Sequence, residues 1–158
     1  MQKGFKKLTS AEVRKKVYYY CAYQERSHQE VKSKLYDLGL STLEVDEMIS
    51  HLITEGYLNE ERFAKAFAGG KFRLKNWGKL KIVQGLESKG LTRNCIASGL
   101  KEIDDDDYMK TIELLIDKKA DQIVEENVFV KRDKVAKYVI QKGFEPELVW
   151  GVLKKVIR

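Results

Sequence analysis

Three stretches decide the fold: VKSKLYDLGL (residues 31–40), IVQGLESKGL (82–91) and VAKYVIQKGF (135–144). Aligned on Gly39, Gly90 and Gly143, each has an apolar residue eight before the glycine (Val31, Ile82, Val135), four before (Leu35, Leu86, Val139) and one after (Leu40, Leu91, Phe144). The register continues downstream. Val45, Ile96 and Val149 come six after, Ile49, Leu100 and Leu153 ten after, and Leu52, Ile103 and Val156 thirteen after. An i, i+4 apolar pair is the signature of one helix face, and a glycine behind it suits the left-handed position that ends a helix. The glycines lie 51 and 53 residues apart. Six filled columns at a near-constant period mark three homologous modules, each a longer helix followed by a helix, a glycine corner and a third helix.

Helix starts are equally legible. Thr9 with Glu12, Ser27 with Glu30 and Ser41 with Glu44 have capping-box spacing; Asn59 before Glu60 and Glu61, and Thr92, are further caps. Glu145-Pro146 places proline at a first helical position, where its missing N–H costs nothing. The expected helices run over 10–24, 27–38, 41–55, 60–75, 78–89, 92–103, 105–126, 131–142 and 145–157. They group into modules at 1–57, 58–104 (basic) and 105–158. A module of about 50 residues has a marginal core, so neighbours are expected to pack on one another. The expected fold is all-α: three tandem three-helix modules in an elongated, curved helical array.

Composition agrees. With 158 residues, 43% hydrophobic and 34% charged, the chain suits a folded domain rather than a disordered, collagen-like or membrane protein. One proline and 11 glycines are too few to punctuate an all-β sandwich. Cys21 and Cys95 have no CxxC spacing, and neither a signal-like start nor an apolar run of membrane-spanning length is present. The expected compartment is the reducing cytoplasm.

The net charge of +6 conceals an uneven distribution. Residues 1–61 are slightly acidic and so are residues 102–158, whereas residues 62–101 hold ten basic residues against Glu87 alone. These are Arg62, Lys65, Lys71, Arg73, Lys75, Lys79, Lys81, Lys89, Arg93 and Lys101. So much like charge in one module is matched best by a polyanion, whose condensed counterions are released on binding. The plain alternative is a solvated helix face.

The stretch Gly56-Tyr57-Leu58-Asn59-Glu60-Glu61-Arg62-Phe63-Ala64, followed by the basic run and Leu86-Glu87-Ser88-Lys89-Gly90-Leu91, resembles the signature of the RecX family of bacterial recombination regulators. Arg26-Ser27-His28-Gln29-Glu30-Val31 with Lys34-Leu35 resembles its first-module motif, and Val139-Ile140-Gln141-Lys142-Gly143-Phe144 its last-module corner. Gly85, Trp77-Gly78-Lys79 and Glu145-Pro146 depart from the usual pattern. The resemblance covers nearly the whole chain. It implies a monomeric binding protein, without catalytic residues, metal or cofactor, whose partner is the RecA filament on single-stranded DNA. Such a protein lies along the filament groove and mainly inhibits recombinase, ATPase and coprotease activity in DNA repair. DNA is contacted directly or through RecA.

The expected contact residues are Arg62, Lys65, Lys71, Arg73, Lys75, Trp77, Lys79, Lys81, Lys89 and Arg93, with Lys71 to Lys81 as the preferred patch. Trp77 is either a base-stacking platform or a hinge plug, the plug being preferred. Phe63 and Phe67, one turn apart, are expected in the core. Of Tyr18, Tyr19, Tyr20 and Tyr23, which circle the first helix, one or two must face outward. Asp104 to Asp107 lack the spaced ligands of a calcium loop and read as acids at a helix N-terminus. His28 and His51 have no nucleophile or orienting acid in a recognisable motif, and no Walker loop, GxGxxG, HExxH or zinc spacing is present. A helix-turn-helix transcriptional regulator is the alternative, since short glycine-linked helices carrying Arg93, Asn94 and Lys101 suit a major groove.

Overall fold

The computed structural model describes residues 9–157. The first eight residues of the expected first module, and Arg158, lie outside them. The described residues form an all-α array of nine helices: α1 (Ser10–Tyr23), α2 (His28–Asp37), α3 (Thr42–Thr54), α4 (Glu60–Lys75), α5 (Lys79–Ser88), α6 (Arg93–Leu100), α7 (Asp105–Gln122), α8 (Val128–Gln141) and α9 (Pro146–Val156). Helices pack chiefly in consecutive triples, α1 to α3, α4 to α6 and α7 to α9.

Caps set the boundaries. The Thr9, Ser27 and Ser41 boxes are all formed, with each hydroxyl accepting from the N–H three residues on and each glutamate accepting in return. The Asn59, Thr92 and Asp104 side chains cap α4, α6 and α7. Gly39 (φ +92°), Gly90 (φ +79°) and Gly143 (φ +101°) sit in the left-handed region. At the first two corners the residue after the glycine donates back to the helix, Leu40 N–H to the Leu35 carbonyl and Leu91 N–H to Leu86. These bonds close the helix end as a Schellman motif does.

Three boundaries differ from the sequence expectation by three residues or more: α6 stops at Leu100 instead of 103, and the other two enclose the connection between α7 and α8. Helix α7 stops at Gln122 and α8 starts at Val128. The Asn127 side chain accepts from the N–H groups of Phe129 and Val130 and so starts α8 a turn early. Ahead of it Val124 is 97% exposed, so no apolar face remains to hold α7 in helix. One core column also fails. Val156 is 41% exposed in the last turn of α9, and Val152 beside Leu153 is buried in that helix instead. The columns of Val31, Leu35 and Val45 are buried in all three triples.

The described residues form two cores. Val13, Val17, Cys21, Val31, Leu35, Val45, Ile49, Leu52 and Leu58 form the first, whereas the second and third triples share one cluster that runs from Phe63 to Leu153. Within it α4 crosses α6 closely, because Gly99 lies against Ala64; a Cβ on Gly99 would stand 2.7 Å from the Ala64 carbonyl oxygen.

The second and third triples are joined at backbone level. Helix α5 has no side-chain cap: Gly78 precedes it. Its N-terminal donors are met instead by the third triple. Gly78 N–H donates to the Lys142 carbonyl (2.8 Å), Leu80 N–H to Gly143 (2.9 Å) and Lys79 N–H to the Tyr108 hydroxyl (2.9 Å). Tyr108 is buried between Phe72 and Phe144 and donates its proton to Glu145. Burial, and then the Glu145 contact, push its phenol well above the ordinary tyrosine range, so it stays a donor.

Gly78 and Gly143 allow this approach. A Cβ on Gly78 would fall 2.2 Å from the Gly143 carbonyl carbon, and one on Gly143 would fall 2.3 Å from the Lys81 Cβ. Gly78→Ala should therefore cost about 2 kcal/mol or more and lower the melting temperature by several degrees. Gly70→Ala, inside α4 with nothing within 4 Å of the added carbon, should be neutral or raise stability by up to about 1 kcal/mol. Equal melting of the two variants, followed by circular dichroism, would show that the joint carries no tight contact.

Candidate functional site

The basic residues of the middle triple are not one uniform patch. Arg62, in the first turn of α4, donates its Nε–H to the Glu25 carboxylate (2.7 Å) and its Nη2–H to the Gly56 carbonyl (3.0 Å). Lys89, just past α5, stands 3.7 Å from Glu30 of α2. Lys65 pairs with Glu61 one turn back (3.4 Å). Lys79 belongs to the second joint, 3.7 Å from Asp105 with its ammonium over the Tyr108 ring. Arg73, Lys75 and Arg93 are exposed, Lys75 at the end of α4 and Arg93 at the start of α6.

Lys71 and Lys81 make a different arrangement. Their ammonium groups lie 4.9 and 4.6 Å from the Trp77 ring centroid. The half-buried Trp77 stands edge-on to Phe67, whose ring Lys71 also faces at 5.5 Å. Trp77 is packed against the shared core, as a plug would be, and two cations flank its ring. Gly85 makes room for the pair: a Cβ there would be 2.8 Å from the Phe67 ring and 3.7 Å from Trp77. The departure from the family pattern at residue 85 thus has a packing cause. Phe63 is buried and Phe67 packs against the core, as expected of an i, i+4 pair.

The first triple faces this surface with acids. Besides Glu25–Arg62 and Glu30–Lys89, the His28 backbone N–H donates to Glu60 of α4 (3.2 Å). Among the described residues, no buried apolar residue belongs to both the first core and the second. Partly exposed ion pairs of this kind are worth about 0 to 1 kcal/mol each, so the first joint is held far more weakly than the second. Glu25 and Glu30 are not among the contact residues that the sequence suggests. Glu25 lies 37 residues from Arg62, and nothing local announces the pairing.

Elsewhere in the first triple, Tyr18 donates to Glu55 (3.0 Å) and lies 2.9 Å from His51 Nε2, which gives that histidine a structural setting. Burial first, then the Glu55 contact, raise the Tyr18 phenol above its ordinary range. Tyr20 packs on the first core beneath the Arg26 guanidinium, whereas Tyr19 and Tyr23 are 70% and 68% exposed. Two of the four tyrosines therefore face outward. Asp104 caps α7, and Asp105, Asp106 and Asp107 occupy its first turn, where the helix dipole favours negative charge.

Residues 59–100 match the family model for the second three-helix domain of RecX. Proteins named Regulatory protein RecX from Geobacillus kaustophilus (29% identical over 135 residues) and Lactobacillus johnsonii (30% over 129) align with 85% and 82% of this chain. The chain is thus similar to RecX proteins over most of its own length. It spans about half the length of the curated relatives it matches, 50% and 48% of those two. The crystal structure of RecX from Lactobacillus salivarius superposes with a TM-score of 0.81 at 23% identity, covering 92% of this chain and 97% of that one. A second crystal structure of a regulatory protein RecX gives 0.78 at 18%, covering 98% and 83%. At these identities the likeness is one of fold: the same all-α RecX array. No helix among the described residues is long and apolar enough to cross a membrane.

Lys71→Ala with Lys81→Ala tests the arrangement around the indole. In a Trp150→Phe background, acrylamide should quench Trp77 fluorescence more strongly, by roughly twofold, while stability falls by no more than about 2 kcal/mol. Unchanged quenching would mean that the two lysines do not cover the ring.

Proposed function

We propose that this RecX-like chain is a binding regulator of the RecA filament on single-stranded DNA, acting in the cytoplasm as a monomer and without catalysis. In this reading modules 1–57, 58–104 and 105–158 lie along the filament groove, and the basic middle module seats the chain against the polyanionic assembly. Occupying the groove obstructs incoming duplex and cleavage substrates, so recombinase, ATPase and coprotease activities fall.

The observation that carries the reading is the concentration of charge: ten cations against one acid within residues 62–101, in the module that matches the RecX family model. Lys71, Arg73, Lys75 and Lys81 are the residues assigned to the contact, since Arg62, Lys65, Lys79 and Lys89 have acidic partners within the chain and Arg93 lies on α6. The Lys71 and Lys81 ammonium groups both lie within 5 Å of the Trp77 ring centroid. Affinity from such contacts depends on salt more than on base sequence.

Adding the chain to RecA assembled on single-stranded DNA should lower ATP turnover in a dose-dependent way. Changing Lys71, Arg73, Lys75 and Lys81 together to Ala should raise the half-inhibiting concentration at least about tenfold and flatten the slope of log affinity against log salt by up to about 3. Turnover that stays constant at every concentration of the parent chain would overturn the reading; inhibition by the fourfold variant equal to the parent's would overturn the residue assignment.

A further inference from the structure

We propose that Glu25 and Glu30 of the first module mask Arg62 and Lys89, and that a strand of phosphates entering the cleft between the first two modules displaces them and opens the joint. The proposal rests on the reading of the middle module as a polyanion-binding surface and adds the way that surface is regulated.

The cleft, about 400 Å³, has Glu25 and Glu30 on one wall and Phe63, Phe67, Lys71 and Lys89 on the other. Arg62 holds Glu25 through its Nε–H at 2.7 Å, and Lys89 stands 3.7 Å from Glu30. A carboxylate presents a guanidinium or ammonium with the same kind of anionic oxygens as a phosphate does. Each acid therefore occupies the position that a nucleic-acid phosphate would take on its cation. Lys71 has no such acid; its ammonium faces the Phe67 and Trp77 rings and marks the open entrance.

Two features make the mask removable. The Arg62 and Lys89 side chains keep 46% and 31% of their exposure, and water weakens such pairs. Among the described residues, the first core contributes no buried apolar residue to the second, so separating the walls uncovers no shared core. Two fixed carboxylates then compete with a polymer whose phosphates release counterions at every contact. The second joint, tied by the Gly78 and Gly143 backbones, stays closed and keeps the middle and last modules together.

The experiment measures binding of a fluorescent 30-nucleotide oligothymidylate to the full chain by anisotropy over a salt series. It compares the parent with Glu25→Gln/Glu30→Gln and with Asp46→Asn/Glu47→Gln, an equal change of charge on exposed residues of α3. Glutamine at 30 preserves the capping box with Ser27. The first variant should bind at least about fivefold more tightly than the charge-matched control, with a salt slope steeper by about 1.4, the value for two added contacts to a single strand. Adding Arg62→Ala and Lys89→Ala should erase the gain. Equal affinity of the two charge-matched variants, a gain that survives the loss of Arg62 and Lys89, or no binding by any of them would overturn the proposal. A gain that depends on both cations, in a chain that leaves RecA turnover unchanged, would uphold the masking and defeat the functional reading instead.

Discussion

Helix α5 begins with no side chain of its own to cap it, and its first N–H groups are satisfied by two carbonyls and a tyrosine hydroxyl of another module. Helix N-termini leave donors that must find partners, and here the partners belong to Lys142, Gly143 and Tyr108. The middle module therefore completes its own helix only by docking on the last one. Gly78 and Gly143 make that approach possible, and the Phe72, Tyr108 and Phe144 rings fill the space behind it. A core that neither module has room to build alone becomes one continuous cluster.

The contrast with the first joint organises the molecule. Between the first module and the rest, the polar contacts are carboxylates on Arg62, Lys89 and the His28 backbone, with the Gly56 carbonyl also on Arg62. Backbone hydrogen bonds among buried aromatics resist salt, and partly exposed ion pairs do not. One connection is thus insensitive to salt and the other sensitive to it.

Net charge along a sequence overstates what is available to a partner. Of the ten cations in residues 62–101, four have acidic partners inside the chain and two rest against an indole. What the middle module displays is narrower than its composition suggests, and it centres on the end of α4 and the start of α5. The positions of Lys71 and Lys81 depend on Trp77, which depends on Phe67, which depends on the missing side chain at Gly85.

Periodicity and caps are local properties, and residue order alone was enough for most features built on them. The nine helices, the three glycine corners and the placement of acids at helix starts were legible because each rests on residues within one or two turns of one another. The end of α7 departs from expectation because a charged run favours helix while Val124 has no core to cover it, and Asn127 starts the next helix early. Val156 leaves its column because the end of α9 turns Leu153 and then Ile157 toward the core, which leaves Val156 facing outward. The docking of the modules, by contrast, settles which cations are neutralised, why residue 85 is glycine, and that Glu25 and Glu30 belong to the same surface as Arg62 and Lys89. Those facts depend on groups brought together across tens of residues, and pairing at that range is set by how modules pack, which no local pattern encodes.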